Sequence, residues 1–299
     1  MKTTIGIDLG GTNVRVAMVD LEGHILQEVK GPSFGQEGPA KVMANLISLI
    51  HQLKHIEDCI GIGIGVPGPV DAITNMMTMS TNLPGFTGYP MATDLYNEFN
   101  LPAYLDNDAN VAGLAEARFG AGKGHQVVYY ITHSTGIGGA LVIDGKVVSG
   151  RQGYAGEIGN IIVSDHGQKI NHLNIGAVEN LASGTALVKT AQSRIDQKIS
   201  SAAALFDLAQ KGNPIALEII DKMAYDFARM CSAIAHVVDP HVFVIGGGVS
   251  KSHQFYFAKV LDNYNQLVHV GMRNPEFKLA LLDEPGIIGA ASLPISRRK

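Results

Sequence analysis

The sequence predicts an α/β protein made of two related halves, and three observations indicate it. Apolar residues with helical spacing at 40–55 lead into the buried strand "CIGIGIGVPG". Two strand meanders, at 3–30 and 127–150, repeat one order: apolar strand, glycine-rich turn, apolar strand, acidic turn, strand. Glycine-rich turns follow apolar strands at three places. If each half places its glycine turn at the same sheet edge, the halves face each other across a cleft.

The first half is predicted as a meander, a helix, a buried strand and a further helix. Its first strand ends at Asp8, before a Gly-Gly-Thr turn, and a second strand covers 14–19. A third strand follows the "DLEG" turn, and the helix and buried strand at 40–68 come next. An alanine-rich helix then starts near Ala109.

The second half continues from its meander into a helical region at 176–226 and a helix at 223–238. "HVFVIGGGVS" predicts a buried strand that ends in three glycines, and "GIIGAASLPI" predicts a small-residue helix that packs back on the first half. We therefore expect an N-terminal α/β domain at 1–118, joined by a C-terminal helix at 286–299, and a larger α/β domain at 119–285.

Composition and charge reduce the range of partners and cellular locations to expect. The 299 residues carry a net charge of -4, and the Lys and Arg residues are scattered, so no nucleic-acid partner is expected. No segment approaches the roughly 20 apolar residues of a membrane span, and the N-terminus lacks a signal peptide, so we expect a cytoplasmic protein without membrane contact. Cys59 and Cys231 lie in apolar segments and are predicted to be buried, reduced thiols.

Three glycine turns indicate a triphosphate site: "DLGGTN" at 8–13, "STGIGG" at 134–139 and "GGG" at 246–248. Glycine lets backbone N–H groups approach anionic oxygens, although a single such turn is usually only a hairpin. The pattern G-x-x-x-x-G-K-[ST] does not occur, which excludes a P-loop. "GIGVPG" at 63–68 matches G-x-G-x-x-G by chance, because Pro67 stands where a helix should start.

Two acidic positions have competing interpretations. Asp8 beside a phosphate turn predicts a Mg²⁺ ion held largely through water, and the alternative is that Asp8 caps its own turn. In "LDNDANVAGLAEAR", Asp106 and Asp108 precede a helix, where Asp is a favoured N-cap. Taken alone, this segment favours a cap over a catalytic base.

Motifs throughout the chain resemble those of the ROK family of sugar kinases, repressors and related open reading frames. In chain order they are "GIDLGGTNVRVAMVD", "GVPGPVD", "NLPGF", "LDNDANVAGLAEARFGAG", "STGIGGALVIDGKVVSG", "GYAGEIGN", "ENLASG" and "VIGGGVS". The resemblance implies an actin-like ATPase fold, with two ribonuclease-H-like α/β domains around a cleft. It also implies phosphorylation of a hexose by ATP with Mg²⁺.

The resemblance implies a role for individual residues. It makes Asp108 the catalytic base and Asn107 a ligand of the sugar hydroxyls, whereas strand alternation gives Asp106 a structural role. The other sugar-binding residues that we expect are Glu157, Asn160, Glu179, Asn82 and Gly68. The expected nucleotide and phosphate residues are Asp8, Gly10, Gly11, Thr12, Asn13, Thr135, Gly136, Gly247 and Gly248.

Two departures from the family pattern occur together. Asn160 stands where the family commonly has a histidine, and "SDHGQKINHLNIGAVEN" contains no cysteine where the family has a zinc motif. We therefore expect no structural zinc. A metal site at Asp165, His166 and His172 is the alternative, although two histidines in a surface loop are usually only polar.

The activity expected is ATP-dependent phosphorylation of glucose or a similar hexose at its 6-hydroxyl, by a homodimer. "STNLPGF" resembles glucokinase-like members, but N-acetylmannosamine, N-acetylglucosamine, allose and fructose stay open. A ROK repressor carries an N-terminal winged-helix region, but here the glycine hairpin starts at residue 5. A repressor is therefore not expected. A sugar sensor with little kinase activity is disfavoured by Asp108 and the three glycine turns, while Asn160 leaves room for it.

Overall fold

A computed structural model describes residues 2–297 and confirms the predicted α/β class. The strands are β1 (Thr3–Leu9), β2 (Asn13–Asp20), β3 (Ile25–Pro32), β4 (Cys59–Val66), β5 (Val70–Asp71), β6 (Met76–Met77), β7 (Ala103–Asn107), β8 (Val127–His133), β9 (Ile137–Ile143), β10 (Lys146–Val147), β11 (Val242–Gly246) and β12 (Glu276–Leu279). The helices are α1 (Pro39–Ile50), α2 (Met91–Phe99), α3 (Asp108–Arg118), α4 (Val178–Ala182), α5 (Gly184–Arg194), α6 (Ala202–Gln210), α7 (Pro214–Val238), α8 (Phe257–Leu267) and α9 (Pro285–Ser296).

The two five-stranded sheets share one arrangement. Their strand orders are β3-β2-β1-β4-β7 and β10-β9-β8-β11-β12, so each sheet places a meander beside two later strands. The two predicted meanders are β1–β3 and β8–β10, and the shared strand order agrees with the expectation of two related halves. In the first sheet β2 is antiparallel to both β1 and β3, whereas β4 is parallel to both β1 and β7.

By their internal contacts the residues form two compact units. The first unit comprises Met1–Tyr130, Ala140–Gly156 and Ala280–Lys299, and the second comprises Ile131–Gly139 and Glu157–Leu279. Strands β8 and β9 each contain residues of both units. The predicted boundary at 118/119 divides the chain at one point, whereas each unit consists of separate segments of the sequence. The boundary stays a prediction.

Alternating glycine and isoleucine in β4 explains how the first unit packs. Side chains point to opposite faces of a strand in turn, so Ile62 and Ile64 enter one core, with residues of α1 and α2. Each such buried side chain contributes about 1.5–3 kcal/mol. The other face bears glycine, and a Cβ at Gly63 would lie 1.7 Å from the carbonyl oxygen of Ala290 in α9. These glycines therefore serve helix packing and not a ligand.

The predicted helical region at 176–226 contains four separate helices, α4 to α7, and short polar caps begin three of them. The side chains of Ser183, Ser201 and Asn213 each accept a backbone N–H and begin α5, α6 and α7 respectively. Pro214 at the first position of α7 reinforces the last of these starts.

Two further sequence expectations concern buried thiols and membranes. Cys59 and Cys231 are buried and free, which confirms the prediction for both. Across residues 2–297, no helix has the length and apolar character that crossing a bilayer requires.

Candidate active site

The carboxyl ends of the parallel strands β1, β4 and β7 bring acidic residues to one edge of the first sheet. Asp8 pairs in register with Gly65, and Gly65 pairs with Asp106. The carboxylate of Asp8 makes no hydrogen bond within the described part of the chain. Burial raises the pKa of its carboxyl group, Arg15 acts to lower that pKa, and Glu284 acts to raise it.

Helix α3 begins at Asp108, and its N-cap is Asn107. The backbone N–H of Ala109 donates to the Oδ1 of Asn107 at 2.9 Å and to the Oδ1 of Asp108 at 2.7 Å. The prediction that an aspartate caps this helix is therefore corrected: the amide oxygen of Asn107 has that position. Asp108 is fixed in the first turn beside it.

Asp108 is an exposed residue, and its carboxyl group has an altered acidity. Desolvation by the surrounding protein raises its pKa, and the negative charge of Asp8 contributes to the increase. The N–H of Ala109 and the amide of Asn107 act in the opposite direction. An accessible carboxylate with a raised pKa is suited to accept a proton.

Asp106 has a different environment, although it is only two residues away. Its side chain is fully buried. Its Oδ1 accepts from the N–H of Asn107 at 2.8 Å and from the Nδ2 of Asn110 at 2.7 Å, and its Oδ2 lies 2.5 Å from the Nη2 of Arg297. Neither oxygen faces solvent, so Asp106 cannot serve a substrate.

The first glycine turn and the "NLPGF" loop are neighbours in the first unit. The N–H of Gly10 donates to the carbonyl of Asn13 at 2.9 Å, which closes the turn between β1 and β2. A Cβ at Gly11 would lie 3.3 Å from the carbonyl oxygen of Asn82. Thr12 and Asn82 are exposed. Gly68 has a φ of 147° and lies close to the carbonyl of Met79.

In the second unit, Glu179 is bound directly to the second glycine turn. Its Oε2 accepts the N–H of Ile137 at 2.8 Å. A Cβ at Gly136 would lie 2.7 Å from the same oxygen, and one at Gly159 would lie 3.1 Å from it. Glycine is therefore required at 136 so that this carboxylate can approach the turn.

The "GYAGEIGN" segment brings Glu157 and Asn160 near that turn. Glu157 precedes a single helical turn at Ile158–Asn160, and Asn160 is the last residue of that turn. A Cβ at Gly159 would lie 2.5 Å from the carbonyl oxygen of Ile137. The Oδ1 of Asn160 accepts the N–H of Asn174 at 2.8 Å. One polar group of Asn160 therefore holds the neighbouring loop, while Glu157 is exposed.

A cavity of about 600 Å³ lies next to the same turn, entirely within the second unit. Its walls include Thr135, Lys189, Phe206 and Gly248, and Lys189 is the only charged residue that lines it in the described chain. The volume is in the range of small-molecule and cofactor sites, about 300–1,000 Å³. The cavity can take a flat apolar group together with a polar chain.

The last glycine turn is held against the second. Gly247 has a φ of 90°, and a Cβ there would lie 2.5 Å from the carbonyl oxygen of His133. The N–H groups of Gly184 and Thr185, at the start of α5, donate to the carbonyls of Ser134 and Thr135 at 2.8 and 3.2 Å. Three backbone segments thus meet around residues 133–136.

The sequence interpretation missed His133, which supports this meeting point. Its Nε2 lies 2.8 Å from the carbonyl oxygen of Ala182, and its ring stacks on Phe227 with centroids 4.9 Å apart. Complete burial lowers the pKa of His133 to about 4, so the ring is neutral at pH 7. A polar residue directly before a glycine turn, in "YYITHSTG", was the available signal.

Lys189 and Arg297 were also missed. Lys189 lies five residues into the helix that follows "ENLASG", and its position could be inferred from that cap. Arg297 contacts Asp106 across 191 positions of sequence, a separation for which no local pattern exists.

The alternative of a metal site at Asp165, His166 and His172 finds no support in the described residues. Among residues 2–297, no group of three or more His, Cys, Asp or Glu side chains is placed to hold a metal ion. The expectation of no structural zinc stays a prediction.

Comparison with a family model and with curated relatives gives a consistent match. A family model described as "ROK family" matches residues 4–297. The glucokinase of Thermotoga maritima is 31% identical, over 97% of this chain and 96% of its own. The N-acetylmannosamine kinase of Yersinia pestis is 30% identical, over 96% of each chain.

Solved structures agree with these relatives. A ROK hexokinase from Thermus thermophilus superposes with a TM-score of 0.86 and 32% identity, over 97% of this chain and 96% of that one. A ROK family glucokinase from Streptomyces griseus, in complex with glucose and AMPPNP, superposes with a TM-score of 0.78 and 29% identity, over 97% and 98%.

Proposed function

The chain belongs to the ROK family, and from that premise we propose that Asp108 is the general base with which this ATP-dependent sugar kinase phosphorylates a hexose. Its fold is the actin-like ATPase fold of ROK sugar kinases. The predicted family and enzyme class are confirmed. The base, the sugar and the individual ligands are our proposals.

The observation that carries the proposal is the contrast between the two acids at the end of β7. Asp106 has both oxygens occupied in the protein interior, whereas Asp108 is accessible and held by the first turn of α3. The raised pKa of Asp108 makes it a stronger base than an ordinary carboxylate. Rigid placement at a helix start favours alignment with a substrate hydroxyl.

In the proposed reaction, Asp108 accepts the proton of a sugar hydroxyl as that oxygen attacks the γ-phosphorus of ATP. A new phosphorus–oxygen bond forms to the sugar, the bond between the γ-phosphorus and the bridging oxygen breaks, and ADP leaves. Asp108 later releases its proton to solvent. The sugar phosphate and ADP are the products.

The sugar ligands that we propose are polar side chains and the backbone of one glycine. They are Asn107, Asn82, Gly68, Glu157, Asn160 and Glu179. Carboxylates and amides both accept hydrogen bonds from sugar hydroxyls, and amides also donate them. Because Glu179 binds the turn at Ile137 through Oε2, it would link sugar binding to the phosphate turn.

The nucleotide site that we propose is the cavity of about 600 Å³ in the second unit. Apolar walls such as Phe206 suit a purine base, and Lys189 suits the negatively charged phosphates. Thr135 and Gly248 line this cavity, and we propose that Gly136 and Gly247, their neighbours in sequence, also approach the nucleotide. We also propose that Gly10, Gly11, Thr12 and Asn13, in the first glycine turn, are phosphate-binding residues.

Asp8 fits a magnesium ion by its donor chemistry. It is a half-buried carboxylate with no hydrogen-bond donor from the described protein, and a cation would offset the negative charge that burial disfavours. We propose that Asp8 holds Mg²⁺ largely through water. The ion would neutralise phosphate charge during transfer.

Glucose or a similar hexose, phosphorylated at its 6-hydroxyl, is the substrate that we propose, since glucokinases are among the relatives of about 30% identity. N-acetylmannosamine is the second candidate, because a kinase of that sugar is 30% identical. Release of ADP with each of five sugars, glucose, N-acetylmannosamine, N-acetylglucosamine, allose and fructose, will distinguish them. Turnover of an N-acetylated sugar above glucose would reverse our order.

The base assignment is tested with Asp108→Asn. We expect turnover to fall by about 10² to 10⁴, the usual contribution of general acid–base catalysis, while sugar binding persists. Asp58→Asn, an exposed aspartate of the same unit, is the matched control and should keep wild-type turnover. Equal turnover of Asp108→Asn and wild type would refute the assignment.

A further inference from the structure

Arg297 stands at the end of α9 and reaches the segment that carries the proposed base. Its Nη2 lies 2.5 Å from the Oδ2 of the fully buried Asp106. The backbone N–H of Arg297 donates to the carbonyl of Leu293 at 3.0 Å, so the residue continues from the last turn of α9. The guanidinium is therefore anchored by a helix that packs along α3 and β4.

Asp106 connects that guanidinium to both sides of Asp108. Its Oδ1 accepts the N–H of Asn107, the residue before the base, and the Nδ2 of Asn110, two residues after it. One buried carboxylate thus fixes the end of β7 and the first turn of α3 together. Asp108 lies between the two points that Asp106 holds.

Arg297 stabilises the ionised form of Asp106. Burial raises the pKa of Asp106, and Arg297 is the main group that opposes the increase. Without the guanidinium, a buried carboxylate is left without its cation, which is strongly unfavourable. The carboxyl group would then take up a proton or move, and either change alters its bonds to Asn107 and Asn110.

We propose that Arg297 is a positioning residue of the reaction, whose ion pair with Asp106 sets the orientation of the Asp108 carboxylate. The proposal rests on the proposed function of Asp108 as the base. Misplacing a reacting group by about 1 Å can lower a rate about 100-fold. Loss of the guanidinium should therefore lower turnover by about 10-fold to 100-fold.

The surroundings of Arg297 supply a matched control and a route for rescue. Arg297 lines a cavity of about 810 Å³ in the first unit, together with Lys146 and Tyr104. Lys146 is a second cation of this cavity, but among residues 2–297 the side-chain hydrogen bonds of Asp106 go to Asn107, Asn110 and Arg297 and not to Lys146. The cavity is large enough to admit guanidinium, a small planar cation that can replace the missing side chain.

The test is a cycle of Arg297→Ala and Asp108→Asn, measured by kcat. Arg297→Ala should lower kcat in the wild-type background and leave it unchanged in the Asp108→Asn background, because Arg297 acts through Asp108. Millimolar guanidinium chloride should restore part of the kcat of Arg297→Ala and none of that of the double variant. Lys146→Ala should keep the wild-type kcat.

Two outcomes would overturn the proposal: an equal loss of kcat in both backgrounds, or a folded Arg297→Ala with wild-type kcat. If Arg297→Ala does not fold, Arg297→Lys enters the same cycle, since it keeps the charge and loses the planar fork. It should lower kcat only where Asp108 is present. Failure of the base assignment is distinguishable, because Asp108→Asn alone would then keep wild-type turnover.

Discussion

Glu116, in the last turn of α3, offers the sharpest test of how the first unit is held together. Its side chain is fully buried, and its carboxylate accepts three backbone N–H groups. Oε2 binds Ala121 at 2.8 Å, and Oε1 binds Leu281 and Leu282 at 3.0 and 2.9 Å. The carboxylate thereby fixes α3 to the segment after it and to the segment that precedes α9.

Glu116→Gln keeps the shape of this side chain and removes one acceptor. The amide oxygen of glutamine can still accept from Leu281 and Leu282, but its NH₂ group then faces the N–H of Ala121. One buried donor is left unpaired, at about 1–3 kcal/mol. We therefore expect the free energy of unfolding to fall by about that amount.

Urea denaturation followed by circular dichroism measures this change. Glu22→Gln is the control, since Glu22 is exposed and its carboxylate makes no hydrogen bond within residues 2–297. It should leave the free energy of unfolding within about 0.5 kcal/mol of wild type. If Glu116→Gln is as stable as Glu22→Gln, the three-donor account of Glu116 is wrong.

Two further predictions concern the second unit. Lys189→Ala should raise the KM for ATP several-fold and leave the KM for the sugar unchanged, because Lys189 is the charged residue that lines the proposed nucleotide cavity. Steady-state kinetics with each substrate varied in turn measure both constants. An unchanged KM for ATP would mean that the phosphates bind elsewhere. His133 has a folded-state pKa of about 4, below its ordinary value of 6.5, so the stability that its neutral form supports is present above pH 6.5 and is lost as pH falls toward 4. That difference corresponds to about 3 kcal/mol. Between pH 4 and 6.5, the free energy of unfolding should therefore change more steeply with pH for wild type than for His133→Gln. If the two variants show the same dependence on pH, burial of a neutral His133 does not contribute to stability as proposed.

Much of the fold could be predicted because it depends on short-range patterns. The apolar run in "CIGIGIGV" indicates a buried strand, and the two meanders indicate two related halves, which agree with two sheets of one strand order. The helix after "LDND" was predicted from its composition. Its cap was not, since Asn107 and Asp108 are both good N-cap residues and only the geometry shows which one accepts the bond in that position.

The residues that could not be predicted are those whose partners are distant in sequence. Arg297 and Asp106 are 191 positions apart, and Glu116 binds Leu281 across 165. Neither pair leaves a periodic or spacing signal, because such contacts depend on how helices pack. The position of Lys189 could be predicted in part. The cap at Ser183 shows where its helix begins, but the sequence does not show what that helix faces.

Turnover and sugar binding in Asp108→Asn show whether Asp108, and not Asp106, takes the proton. We expect ADP release to fall by about 10² to 10⁴ at saturating ATP and sugar, while isothermal titration still shows the sugar bound with near wild-type affinity. Turnover equal to wild type, in a variant that folds and binds the sugar, would contradict it.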